Sequence, residues 1–158
     1  MKHLKQFVPS SVCLKCDGCC RFKSADSAWR PKDSQKEFTD DQNFITTIQD
    51  CGNHLCRFFN KSDSTCRVYD QRPFECALYP FVLSRAVQGV RVYVHLACPH
   101  IQETQASPAL GEYVDYLKEF FCGDKTRNFL ANNAFLIHDY SPFAMELQHL
   151  FTIEGLRL

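Results

Sequence analysis

Four cysteines fall within residues 13–20, C-L-K-C-D-G-C-C, and the 158-residue chain holds ten in all. Sulfur at that density is used for disulfides or for metal. Adjacent Cys19 and Cys20 make a disulfide framework awkward, since each needs its own partner within narrow geometry. The opening MKHLKQFVPSSV carries basic residues but no apolar stretch ahead of the first cysteine. That predicts a cytoplasmic protein without a secretion signal. Thiols stay reduced in that compartment, so the cysteines are expected to be metal ligands.

The spacing sharpens the expectation. C-x2-C lets two thiolates in one tight turn reach the same metal. C-x2-C-x2-C is the spacing by which a loop wraps three corners of an iron–sulfur cubane, with a fourth cysteine from afar, often one followed by proline. Cys98-Pro99 matches that cue. Gly18, inside the loop, would permit positive φ and close backbone approach to an inorganic sulfide. Four-cysteine zinc sites also use C-x2-C pairs, so zinc stands beside a [4Fe–4S] cluster. His54 and His100 lie two residues from Cys56 and Cys98, where the expected role is a surface imidazole. Asp17 reads as a turn residue before Gly18. Cys20, Cys56 and Cys66 are each followed by arginine, and Arg72 lies near Cys76. A guanidinium there would offset thiolate charge, though a single strand arginine more often points to solvent.

Eighteen basic residues balance eighteen acidic ones, so no field of one sign draws nucleic acid or a membrane surface. Apolar residues make up 45% of the chain, enough for a core, and no run approaches a membrane span. The expected fold class is α+β, a small metal-organised cysteine-rich domain with two β-hairpins and a C-terminal helical flank. It is read as one domain, 1–158, with a cysteine-cluster core over 13–103 and the flank over 104–158. Residues 41–50 predict a short helix capped by Thr39 or Asp40, with Phe44, Ile45 and Ile48 on one face. Strands are expected at 55–59 and 65–69, and again at 82–87 and 90–96, where Val90, Val92, Val94 and Leu96 alternate with other residues. Ser107-Pro108 predicts a helix start, with an apolar stripe from Leu110 to Phe121 and a stop at Gly123. Ser141-Pro142 predicts a second helix carrying Phe143, Leu147, Leu150 and Phe151. The stretch around NFLANNAFLIHDY is ambiguous.

The pattern C13-x2-C16-x2-C19-C20, then C56-R-F-F, then C66-R-V-Y-D-Q-R-P-F-E-C76-A-L-Y-P-F and C98-P resembles the CxxCxxCC cysteine-cluster family, described as zinc- or iron-chelating. The resemblance covers about 13–100. It implies Cys13, Cys16, Cys19, Cys20, Cys56, Cys66, Cys76 and Cys98 as metal and cofactor ligands, and leaves Cys51 and Cys122 outside. It also implies a clasp between ligand loops at Tyr69, Arg72 and Pro73. Eight thiols would make two four-ligand sites, or one site with spare or bridging thiols. One branch of the family is the flagellin lysine N-methylase, which raises a methyltransferase-like component as one alternative. The six glycines show no G-x-G pair, so a nucleoside-cofactor turn is missing and catalysis by the chain alone is disfavoured. The favoured expectation is a [4Fe–4S] protein for electron transfer, sensing or maturation, with an unidentified protein or redox partner. A structural Zn2+ interaction module is the other alternative.

Overall fold

The computed structural model describes residues 4–16 and 18–156; Asp17 lies outside the described residues. The architecture is α+β, with short helices and three small antiparallel sheets. The contacts divide the chain at 77/78, rather than near the 103/104 change in composition. One compact unit is residues 8–77; the other is residues 1–7 together with 78–158.

The first unit begins with α1 (Ser10–Cys13). Strands β1 (Arg21–Phe22), β2 (Thr47–Asp50) and β3 (Asn53–Cys56) form a sheet with β3 in the centre. β2 and β3 are joined through Cys51 and Gly52 at φ 46° and 80°, with Asp50 opposite Asn53. Two positive φ angles in a two-residue connection make a type I′ turn, whose twist matches the flanking strands. β4 (Phe59–Asn60) and β5 (Thr65–Cys66) make a second, minimal hairpin. Its turn is held by Asp63, whose Oδ1 accepts from Thr65 N at 3.1 Å and Thr65 Oγ1 at 2.6 Å. α2 (Phe74–Leu78) closes the unit. Phe22, Phe38, Ile45, Leu55, Cys56 and Phe59 form its buried core, with Cys20, Trp29, Phe58 and Val68 packed against them.

The helix expected over 41–50 does not form. Asp40 Oδ1 does accept from backbone N–H groups, those of Gln42 at 2.9 Å and Phe44 at 3.0 Å. Asn43 then enters the left-handed region at φ 66°, which ends the turn. The buried Arg30 holds Asp40 there: its Nη2 donates to Asp40 Oδ2 at 2.7 Å and to Ile45 O at 2.7 Å, and its Nη1 donates to Ala25 O. Residues 47–50 pair with β3, leaving Ile48 exposed. The first expected hairpin is also shorter than read, since Leu55 and Cys56 belong to β3.

In the second unit, β6 (Phe81–Arg85) and β7 (Val90–His95) form the second expected hairpin. Val90, Val92 and Val94 are fully buried. α3 (Pro99–Thr104) is short. α4 (Pro108–Cys122) starts as its sequence predicts, with Ser107 Oγ accepting from Ala109 N at 3.2 Å. It buries Leu110, Tyr113, Leu117, Phe120 and Phe121. Gly123 ends it and also precedes α5 (Asp124–Asn132), which resolves the ambiguous stretch. β8 (Leu147–Ile153) replaces the second expected helix; only a 3-10 turn forms over Ser141–Glu146. β8 pairs with β7 across a bulge at Val92/Tyr93. Residues 4–7 belong to this unit: Tyr113 Oη donates to Lys5 O, and the Phe7 ring meets Phe81 at 5.6 Å. Among the described residues, no helix is long and apolar enough to cross a membrane.

Candidate metal centre

Seven of the eight expected ligands lie in the first unit: Cys13, Cys16, Cys19, Cys20, Cys56, Cys66 and Cys76. Cys98 belongs to the second unit, where it is buried at the N-cap of α3. Cys51 is exposed in the β2–β3 turn, and Cys122 is exposed at the end of α4.

Each of the seven arrives by a local device. α1 ends at Cys13, and Cys16 N donates to Cys13 O at 3.2 Å, closing the turn that C-x2-C requires. Gly18–Cys20 is a single 3-10 turn leading into β1. Gly18 does not need to be glycine for backbone conformation: it lacks positive φ, and a Cβ there would lie 3.5 Å from the Cys16 sulfur, an ordinary contact. Cys20 packs against the core while its thiol hydrogen-bonds Cys19. Cys56 ends β3, and the N–H groups of Phe58 and Phe59 donate to its sulfur. Cys66 ends β5 opposite Phe59 and receives the Val68 N–H. Cys76 rides on α2, which Lys32 N anchors by donating to Glu75 Oε2 at 2.5 Å. The C-R-F-F string places these N–H groups two and three residues after Cys56, and C-R-V places one two residues after Cys66. Sequence reading passed over that spacing.

The thiols act on one another electrostatically. Burial pushes Cys13 and Cys56 up to about 11. Burial likewise raises Cys66, and raises Cys76 further. Cys20 is raised first by its hydrogen bond to Cys19 and then by burial. Mutual repulsion adds to each, and Cys19 acts on all five of these thiols. Arg72 works the other way at Cys13 and Cys66. Its guanidinium sits 4.0 Å from the centroid of the Tyr69 ring, and Pro73, buried, leads into α2. The remaining arginines follow the solvent reading: Arg21 pairs with Asp50 at 3.5 Å, while Arg57 and Arg67 are exposed. His54 sits on β3 opposite Gln49 and Phe22, and the His100 ring lies 5.3 Å from Phe7.

Among the described residues, no three Cys, His, Asp or Glu side chains form a group that could hold an ion as they stand. The chemistry of the donor set nevertheless fits a thiophilic metal. The donors are soft sulfurs, Cys19 acts on five of them, and backbone N–H groups point at Cys56 and Cys66, as they do around ligating thiolates. A bound cation would supply the counter-charge that burial withholds.

A family model matches residues 12–108, which takes in all eight cysteines of the pattern. The chain belongs to the CxxCxxCC family. That family is described as a "putative zinc- or iron-chelating domain", which supports metal binding by this chain. The CxxCxxCC match ends at Pro108, the first residue of α4, so most of the helical part and β8 lie beyond it. No curated protein and no solved structure matches the chain.

Proposed function

We propose that residues 8–77 hold a thiolate-bound zinc centre that organises this unit of the fold, and that the unit so formed docks to a protein partner. The observation behind this reading is the gathering of seven thiols in a unit with little else to hold it. Its strands span two to four residues, and its main buried cluster is five apolar side chains and Cys56, with Val8 and Phe74 buried besides. A domain of this size with so small a core needs a staple. Structural zinc supplies folding free energy directly, because the preformed site does not exist in the unfolded chain. The protein's part is to present neutral thiols that give up their protons to the metal, to direct N–H groups at Cys56 and Cys66, and to place Arg72 beside Cys13 and Cys66.

A [4Fe–4S] centre for electron transfer, sensing or maturation is the second reading. The C-x2-C-x2-C loop with Cys98-Pro99 favours it.

Purification without oxygen, followed by zinc, iron and acid-labile sulfide per chain, separates the two. Colourless protein with zinc and no sulfide is expected. Roughly four irons and four sulfides per chain, with a broad absorption near 400 nm, would refute the zinc reading in favour of the second. Chelation under reducing conditions should lower the stability of residues 8–77 and speed hydrogen exchange at their backbone amides, while β7 and α4 stay protected.

A further inference from the structure

The second unit holds its N-terminal segment in the way that proteins hold peptides. Tyr113 and Tyr116 lie three residues apart on α4, so their side chains share one face of the helix. Both hydroxyls reach the same residue. Lys5 N donates to Tyr116 Oη at 2.8 Å, and Tyr113 Oη donates to Lys5 O. A residue that exchanges both its N–H and its carbonyl with one partner is the bonding unit of an antiparallel strand pair. Here two phenols take the partner's place. Main chain is gripped at this position, and Lys5 itself is exposed.

Two residues on, the Phe7 ring packs into an aromatic cluster. Its centroid lies 5.6 Å from that of Phe81, 5.3 Å from His100 and 5.0 Å from Tyr113. All three distances suit favourable ring pairs. Tyr113 also stacks on Phe81, with centroids 5.0 Å apart and 29° between the planes. Residues 4–7 join no helix and no strand. Phe7 is the last residue of this unit before the chain passes into the other. Withdrawing the segment therefore breaks no ladder and no helix. It would uncover two phenol hydroxyls beside the rings of Phe81 and His100. Aromatic surface with polar tips is characteristic of the buried centres of protein interfaces.

From this arrangement we propose that the surface of α4, α3 and β6 around Tyr113 is a docking site for a peptide segment of a protein partner. The segment it fits carries an aromatic residue two places after the residue whose backbone the two phenols hold. Lys5-Gln6-Phe7 of the chain itself is the resident occupant and competes with that partner. Recognition is by main chain and ring, so the partner needs no charge at the position of Lys5. Burial raises the Tyr113 hydroxyl, which stays a neutral donor to the peptide carbonyl. The apparent affinity for the partner is scaled by the fraction of chains whose own segment has left. The inference is independent of the metal reading, since every residue in it belongs to the second unit.

The test uses the full chain as purified and a fluorescein-labelled peptide of residues 3–9, HLKQFVP, read by fluorescence anisotropy. Phe7→Ala in the chain vacates the place of the ring, and Lys5→Pro removes the N–H given to Tyr116. Each variant is expected to bind the peptide about tenfold tighter than the unmodified chain does. Adding Tyr113→Phe keeps the ring and removes the donor, and should weaken that binding about fivefold. Unlabelled peptide with Lys5→Ala should compete as the parent does, whereas peptide with Phe7→Ala should not compete. Lys5→Pro leaves every ring in place, so it decides if Phe7→Ala does not fold. In the unmodified, isotope-labelled chain, excess unlabelled peptide should move the Lys5 amide resonance to its unbound position. Equal affinity in released and unmodified chains, competition by the Phe7→Ala peptide, or a Lys5 resonance that ignores the peptide would overturn the proposal. Absence of binding to both variants, with β7 and α4 still protected from hydrogen exchange, would also overturn it and leave the segment as packing alone.

Discussion

Replacing Gly89 by alanine separates two costs that usually arrive together. Gly89 and Gly52 have nearly the same backbone, φ 81° and 80°. A Cβ on Gly52 meets nothing within 4 Å, whereas one on Gly89 would stand 2.2 Å from Ile153 O in β8. Gly52→Ala therefore carries only the left-handed penalty, about 1 kcal/mol. Gly89→Ala carries the same penalty plus a collision roughly 1 Å inside ordinary carbon–oxygen contact at about 3.3 Å. The obstacle is backbone, so β8 itself must move. Val90, fully buried, pairs with Ile153 at that end of the β7–β8 ladder. Parting them forfeits one or two ladder hydrogen bonds at about 1 kcal/mol each, together with some of the packing of both side chains. The expected loss is about 3–4 kcal/mol. Urea unfolding of each variant gives the comparison, read in the transition of the unit that carries the change. Equal losses, within about 0.5 kcal/mol, would refute the close approach of Gly89 to β8.

Three further outcomes follow from the first unit. The reduced, metal-free protein should lose stability above pH 9. The raised thiols favour the folded state while neutral, and that advantage disappears as pH passes from about 9 toward about 11. Cys56 alone accounts for about 2–3 kcal/mol, and Cys13, being more exposed, for less. Denaturant midpoints flat from pH 8 to 11 would contradict this, and Cys56→Ala should reduce the slope. Arg30→Ala should cost about 3 kcal/mol, because it strips the partner from Asp40 and the donor from Ile45 O. Arg30→Lys should rescue little of this, since an ammonium cannot span the same acceptors; near-full rescue would show that charge alone matters. Cys51→Asn should raise stability by about 0.5 kcal/mol with metal content unchanged, because asparagine tolerates the left-handed turn position better. Loss of metal in that variant would place Cys51 among the ligands.

The elements that were legible in the sequence are those whose signals are local. The alternation of Val90, Val92 and Val94 and the Ser107-Pro108 start are each complete within a few residues, and both elements form where expected. Asp40 shows how a local signal misleads. It makes the capping hydrogen bonds expected of it, but Arg30, ten residues away, and the left-handed Asn43 turn the same bonds into a loop closure. Leu147 to Phe151 mislead differently. Their spacing suits a helix, but β7 offers an open edge some fifty residues earlier in the chain, and that pairing wins. The candidate site divides in the same way. The C-x2-C turns and the eight-cysteine pattern are visible as spacing. That Cys98 belongs to a different unit from the other seven is not, because strand pairing decides the unit to which each segment belongs. Nor is the reach of Arg72 to Cys13 and Cys66, which depends on the turn over Tyr69–Gln71 and on Tyr69 beneath the guanidinium.

Residues 4–7 pack with α4 and β6, while residues 8–77 form a unit of their own. The chain therefore leaves the second unit after Phe7 and re-enters it at Leu78. Folded, the first unit spans that gap as ordered chain. Once unfolded, it becomes a flexible loop of roughly 70 residues whose closure costs on the order of 4 kcal/mol in entropy. That cost falls on the few contacts at Lys5 and Phe7. Unfolding the first unit would thus pull on the docking of the N-terminal segment through chain entropy alone, and the Tyr113 hydroxyl, hydrogen-bonded to Lys5, is the point where that tension would be read.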